Sequence, residues 1–244
     1  MMKIELLFDS IVAILLIGLF LGFLLSYFYI KNSIKDKSPN FYMGLFILSF
    51  TLIMLEGWLN YSRLIFKFIY LANFSEPLNF SLGPLIYLFT KSSLNKTISR
   101  QDWFHFVPAF FWLGYCMFFY LQPIEFKYNS IIDTMQLNIQ LLDCNNSFTD
   151  NPLYIRDYVN ELTILSLFTY LLLNLYIISQ EIKNFNTTFL KSKDENLISL
   201  RNAQYHFLTL FIVLFVIKLV FKNDVGDYLL FIYFTFMLLT NLLK

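Results

Sequence analysis

FDSIVAILLIGLFLGFLLSYFYI, running from Phe8 to Ile30, decides the fold class, because after Asp9 it contains no Asp, Glu, Lys or Arg. A helix rises about 1.5 Å per residue, so this run spans the roughly 30 Å hydrocarbon core of a bilayer. It is too long for the apolar region of a secretory signal and lacks a small-residue cleavage pattern, which predicts a retained first helix. Six more apolar stretches follow: Phe41 to Tyr61, Phe74 to Ser93, Trp103 to Leu121, Val159 to Gln180, Tyr205 to Phe221 and Tyr228 to Leu243. Ser38-Pro39-Asn40 marks the start of the second, and Pro77, Gly83 and Pro84 interrupt the third. The last two are short, which predicts little tilt or a locally thin bilayer.

Composition points the same way. The chain is 57% apolar and 14% charged, with a mean hydropathy of +0.58, whereas soluble domains carry about 25% charged residues. The expectation is an all-α fold, a polytopic membrane bundle of seven transmembrane helices forming one domain over residues 1–244. The bilayer is then its first partner.

Orientation follows from the cations between the spans, since Lys and Arg collect on the cytoplasmic side. Lys31, Lys35, Lys37, Lys91, Lys96, Arg100, Lys183, Lys191, Lys193, Arg201 and Lys244 fall on one side. Lys3, Arg63, Lys67, Lys127, Arg156, Lys218 and Lys222 fall on the other. The eleven against seven place the C-terminus in the cytoplasm, and seven crossings then put the N-terminus outside. The longest connection, residues 122–158, becomes an outer loop, and its segment Tyr128 to Leu142 has the apolar content of a helix lying at the surface. Residues 181–204 become a cytoplasmic linker of mixed charge, unlike a polybasic lipid-binding tract.

Polar groups inside spans cost about 2.5 to 3.5 kcal/mol each when charged, so each calls for a reason. Glu56, Asn60, Arg63 and Lys67 are spaced by four, three and four, which puts them along one helical face if the second helix continues past Tyr61. Two readings stand: a ligand-responsive polar ladder, or an interfacial helix end with Trp58 and Tyr61 as belt residues and the cations snorkelling. Gly83-Pro84 predicts a kink, either a hinge or a packing device. Asn174 is the most deeply placed amide, expected to bridge two helices more readily than to bind a ligand. His105, with Pro108 three residues on, and His206 open their spans at the same cytoplasmic depth, where a pair or two satisfied imidazoles are open. Gly18 and Gly22, at Gly-x-x-x-Gly spacing, are candidates for a homodimer contact.

Cys116 and Cys144 have neither the spacing of a zinc site nor a disulfide framework, so no metal and no cofactor is expected. The sequence contains no His-Glu-x-x-His, Gly-x-Ser-x-Gly or phosphate-cradling glycine loop, which argues against an enzyme. No basic face alternates with aromatics, so direct nucleic-acid binding by this chain is not expected either.

The segment Pro77-Leu78-Asn79-Phe80-Ser81-Leu82-Gly83-Pro84-Leu85-Ile86-Tyr87-Leu88-Phe89-Thr90-Lys91-Ser92, followed by Asp102-Trp103-Phe104-His105-Phe106-Val107-Pro108, carries a resemblance. It resembles the N-terminal membrane half of the AraC-type transcription regulators of Bacteroidetes, in which a Gly-Pro-Leu-Leu/Ile-Tyr helix is followed by a basic turn and by His-Phe-Ile/Val-Pro. The resemblance implies an inner-membrane sensory domain that perceives a small-molecule, lipid or protein cue and signals to a cytoplasmic helix-turn-helix module. That module would take roughly 100 residues, and none of them lie between the last span and Lys244. The competing expectation is a stand-alone pore-forming or transport-like protein, which would need a polar stripe running through several spans.

Overall fold

The computed structural model describes residues 5–36, 38–145, 148–185, 195–221 and 226–242, and among these there are helices and no strands. Eight α-helices follow in order: α1 Ser10–Ser33, α2 Pro39–Tyr61, α3 Glu76–Ser93, α4 Val107–Tyr120, α5 Ile124–Thr134, α6 Val159–Phe185, α7 Glu195–Val220 and α8 Asp227–Leu242. Short 3-10 segments at Leu64–Lys67 and Ile69–Leu71 connect α2 to α3, and others at Arg100–Phe106 and Ile155–Tyr158 lead into α4 and α6.

The helices begin where local chemistry places a start. Asp9 caps α1 by accepting the N–H of Val12 at 2.9 Å, while Pro39, Pro77 and Pro108 each occupy the first turn of their helices, where a missing N–H costs nothing. Ser99 and Asp102 form a capping box ahead of α4.

Four helices, α1, α2, α6 and α7, are long and apolar enough to cross a membrane, and the bent pair formed by Arg100–Tyr120 and α5 could count as a fifth. The bend within that pair is 112°, so α5 folds back across one end of the bundle. There Ile131 packs with Leu59, Ile65, Ile69 and Phe119. The outward faces carry Phe20, Phe104, Phe110 and Leu219, each at least 67% exposed. Apolar surface on this scale suits acyl chains and not water.

Within the bundle, α2 and α3 are central. α2 packs on α1 and α3, while α3 also meets α4 and α6, and α8 lies chiefly against α1. Gly18 and Gly22 face inward: a Cβ on Gly18 would collide with Thr235 and Met54, and one on Gly22 with Thr51. The glycine pair therefore holds α1 against α2 and α8 within one molecule. The helix α3 runs unbroken through Pro84, and Gly83 admits the ring of Tyr170 from α6. Close approach of α3 and α6 is the visible effect of that glycine.

Three boundaries differ from the sequence reading. The helix expected from Tyr205 starts at Glu195, because polar Arg201, Asn202 and Gln204 dilute an apolar count without stopping a helix. It is therefore not short. The surface helix expected at Tyr128 to Leu142 lies at Ile124–Thr134. Of the expected linker 181–204, residues 186–194 lie outside the described residues, and its two flanks complete α6 and open α7. Lys3, Lys37, Lys191, Lys193, Lys222 and Lys244 of the charge count also lie outside them.

The packing of α1 predicts that Gly22→Val lowers the thermal unfolding midpoint in detergent, since overpacking costs about 1–3 kcal/mol. Gly114→Val is the control and should leave the midpoint unchanged, because nothing lies within 4 Å of a Cβ there.

Candidate functional site

At the end covered by α5, the chain leaves α2 through a left-handed Arg63 and enters α3 through a left-handed Asn73. Asn is among the few residues that adopt this conformation readily, and here it turns the backbone so that N–H groups point back at α2. Glu56, 7% exposed, accepts the N–H of Asn73 at 2.5 Å and of Ser75 at 2.8 Å. A carboxylate thus sits where the N-terminal groups of α3 would otherwise go unsatisfied.

The first residue of α3 extends the network. Glu76 pairs with Arg156 at 2.6 Å, accepts from the Trp112 indole at 3.2 Å and meets the Cys116 thiol at 3.5 Å. Arg156 also lies over the ring of Phe119, 4.3 Å from its centre, and within 3.7 Å of Asp150. Tyr120 donates to the Asn73 carbonyl at 2.9 Å, and Lys127 of α5 donates to the Tyr120 carbonyl at 2.6 Å. Residues from α2, α3, α4, α5 and the approach to α6 are therefore locked together around the start of α3.

Inside this frame lies a cavity of about 220 Å³ onto which Glu56, Asn60, Asn79, Asn160 and Asp227 open. Asp227, at the start of α8, pairs with Lys218 of α7 at 3.0 Å. A second cavity of about 80 Å³ shares Asn79, Asn160, Asp227 and Phe231 with the first and runs toward the bundle centre between Phe46, Phe50, Leu82, Leu167, Phe207 and Leu210. A third, open groove of about 720 Å³ between α6 and α7 reaches Asn160 and Lys218 from the side. Asn160 is common to all three. The arrangement is a polar chamber at one end, an apolar pocket beneath it and a lateral apolar opening.

Of the expected ladder, Glu56 and Asn60 line the chamber together. Arg63 and Lys67 do not join them, because α2 stops at Tyr61 and Arg63 turns away to the Glu5 carbonyl at 3.3 Å. Lys67 is exposed in the following 3-10 turn. Asn174 is fully buried, yet neither amide atom has a hydrogen-bond partner among the described residues. The expected interhelical bridge is thus not formed.

The opposite end gathers most of the other candidates. Asp102 accepts both Lys91 (2.7 and 2.8 Å) and the Ser99 backbone (2.6 Å), with the Tyr87 hydroxyl at 3.4 Å. His105 packs against Tyr87 with ring centres 4.5 Å apart and the planes tilted by 48°, and its Nδ1 lies 3.1 Å from the Tyr170 hydroxyl. Tyr170 is the ring that Gly83 admits. His206 instead faces Tyr233 of α8 at 3.2 Å, so the two imidazoles have separate partners. Pro108 is exposed in the first turn of α4. The chain matches no protein-family model, no curated protein and no solved structure.

Sequence reasoning missed Glu76, Asn79, Arg156, Asn160, Lys218 and Asp227. One signal was available: an acid or a base stands at the edge of an apolar run in Glu76, Arg156, Lys218 and Asp227. Groups of that kind are held near the interface or paired.

Arg156→Met should destabilise the protein by about 3 kcal/mol, because it strands a largely buried Glu76 carboxylate. The double variant Glu76→Met/Arg156→Met should recover much of that loss, as read by unfolding in mixed detergent micelles.

Proposed function

We propose that this chain is a seven-helix inner-membrane sensory domain with its N-terminus outside and its C-terminus in the cytoplasm. The observation that carries the reading is the joined pair of cavities, polar at the α5 end and apolar beneath, lined by α2, α3, α6, α7 and α8. The proposed topology adds α3, α4 and α8 to the four long helices as shorter crossings, and turns the α5 end outward. A cue arriving from the outer side or along the lipid would then meet Glu56, Asn60 and Asn160 first.

A sensor needs two arrangements that the cue binds with different affinity. Two features support such a pair. Only 22% of the apolar window of α7 is buried, and three cavities border it. At the far end of α3, the Tyr87, Lys91, Asp102 and His105 cluster ties α3 to the start of α4 and to α6. Gly83-Pro84 lies between the chamber and that cluster, which is where a hinge in α3 would act. The resemblance to the input half of AraC-type regulators concerns these same residues, and on that reading the output is a DNA-binding module joined behind α8.

One observation favours a pore or transport-like alternative. Thr163 Oγ1, the Asn174 amide and Gln204 Oε1 are buried without hydrogen-bond partners among the described residues, and Asn174 lies eleven residues, or about 16 Å, beyond Thr163 on the same buried face of α6. The aromatic and aliphatic lining of the second cavity interrupts that line, which favours the sensor.

An alkaline phosphatase reporter, active only after export, should be inactive behind Lys244 and active when inserted at residues 137–142. The opposite pattern overturns the orientation. In a chimera carrying a promoter-reading module, Pro84→Ala should alter cue-dependent output severalfold, and unchanged output removes the hinge. A steady single-channel conductance in planar bilayers would replace the sensor by the pore.

A further inference from the structure

We propose that the chamber and the pocket beneath it hold an amphiphile with a protonated amine head and a hydrocarbon tail. This deepens the sensory reading and rests on it. The charge arrangement decides the head. Three carboxylates face the chamber: Glu76 is neutralised by Arg156 and Asp227 by Lys218, while no Lys or Arg among the described residues lies within 4 Å of Glu56. Glu56 accepts the backbone N–H groups of Asn73 and Ser75 and a side-chain hydrogen bond from Ser75. A carboxylate accepts about four hydrogen bonds, so it retains capacity for an ammonium donor.

The surrounding polar groups suit the same head. The side-chain amides of Asn60, Asn79 and Asn160 line the chamber, and none of them is engaged in a side-chain hydrogen bond among the described residues. Thr163, more than nine-tenths buried at 8% exposure, has an unpartnered Oγ1 and lines the pocket beneath the chamber, one helical turn from Asn160. Buried polar groups are ordinarily satisfied, so an unmet hydroxyl beside a cavity marks a place for a ligand atom or water.

The tail has its own site. Phe46, Phe50, Leu82, Leu167 and Leu210 surround the narrow continuation, which suits a single alkyl chain and excludes a bulky ring system. Access does not require the bundle to unfold. The groove between α6 and α7 is lined by Ile164, Leu165, Phe168, Phe215 and Leu219 and ends at Asn160 and Lys218, so an amphiphile dissolved in the bilayer could slide in tail and head together. A free anion or fatty acid fits this chamber poorly, because its carboxylate would meet Glu56 in a site of low dielectric.

The probe is decylamine carrying a diazirine at the tail end, added to the full chain in phosphatidylcholine nanodiscs and mapped by mass spectrometry after illumination. Labelling is expected on the Phe207–Leu214 stretch and around Leu167. Excess decylamine should compete it away, whereas decanoate and decanol should not. Glu56→Gln should reduce this labelling at least tenfold, and so should Leu210→Trp, which fills the tail pocket without touching the carboxylate. If Glu56→Gln does not fold, competition on the natural chain and Leu210→Trp decide. Equal competition by decanol or decanoate, labelling concentrated on lipid-facing Phe110 and Phe111, or unchanged labelling in Leu210→Trp overturns the proposal. Site-specific labelling with no response of a signalling chimera to decylamine would leave the site standing and remove the sensory reading. A chimera that responds to another cue while the probe fails to label would do the reverse.

Discussion

The carboxylate of Glu56 and the two N–H groups it accepts, those of Asn73 and Ser75, set the geometry on which the α5 end depends. A helix start leaves backbone donors without partners, and in an apolar surrounding each unmet donor costs several kcal/mol. By reaching from the last turns of α2 to the beginning of α3, Glu56 removes that cost and fixes the turn between the two central helices. Glu76 can then face Trp112, Cys116 and Arg156, and the start of α6 is drawn in behind Arg156. Had α3 been capped by its own serine, no acid would be needed inside the bundle. Ser75 makes no such side-chain bond. The chamber therefore owes its negative character to the way in which α3 is started.

Much of the helical framework was legible because a bilayer-length apolar run can satisfy its backbone only as a helix. The start of α2 was equally legible through Pro39, whereas the fourth helix, expected from Trp103, begins at Val107 behind a 3-10 segment. What misled was charge dilution. Glu195, Arg201 and Gln204 belong to α7 although an apolar scan begins at Tyr205. Conversely, the apolar residues 137–142 suggested helix and lie outside α5.

The candidate site was half legible. Glu56 and Asn60 were found because they interrupt an apolar stretch one turn apart. The rest of the ladder failed at one residue: Arg63 adopts φ 62°, and a single left-handed residue ends the periodicity that links Asn60 to Lys67. Glu76 and Arg156 are eighty positions apart, and Lys218 of α7 meets Asp227 of α8. No spacing rule joins such partners. The stretch that carried the family resemblance is a different case, since Gly83, Tyr87, Lys91, Asp102 and His105 converge with Tyr170 on one side of α3. Their joint appearance in the sequence has a physical reason: they clamp three helices together at the end opposite the chamber.

These two assemblies divide α3 between them. Its first turn belongs to the Glu56 and Glu76 network, its last turn is tied through Lys91 to Asp102, and Gly83 packs on Tyr170 midway. A displacement imposed at one end of so short and firmly held a helix must appear at the other or be absorbed at Pro84, where the missing N–H leaves the Phe80 carbonyl free of its usual bond. α7 presents the contrary case: beyond the buried Gln204–Thr90 hydrogen bond to α3, most of its apolar window is unburied and it borders cavities along its length. A ligand that filled the space between the two would replace voids by contacts chiefly on α7, because α3 is already satisfied. Packing energy gained there draws α7 toward α3, and since α7 also carries Lys218, the movement is coupled through Asp227 to α8.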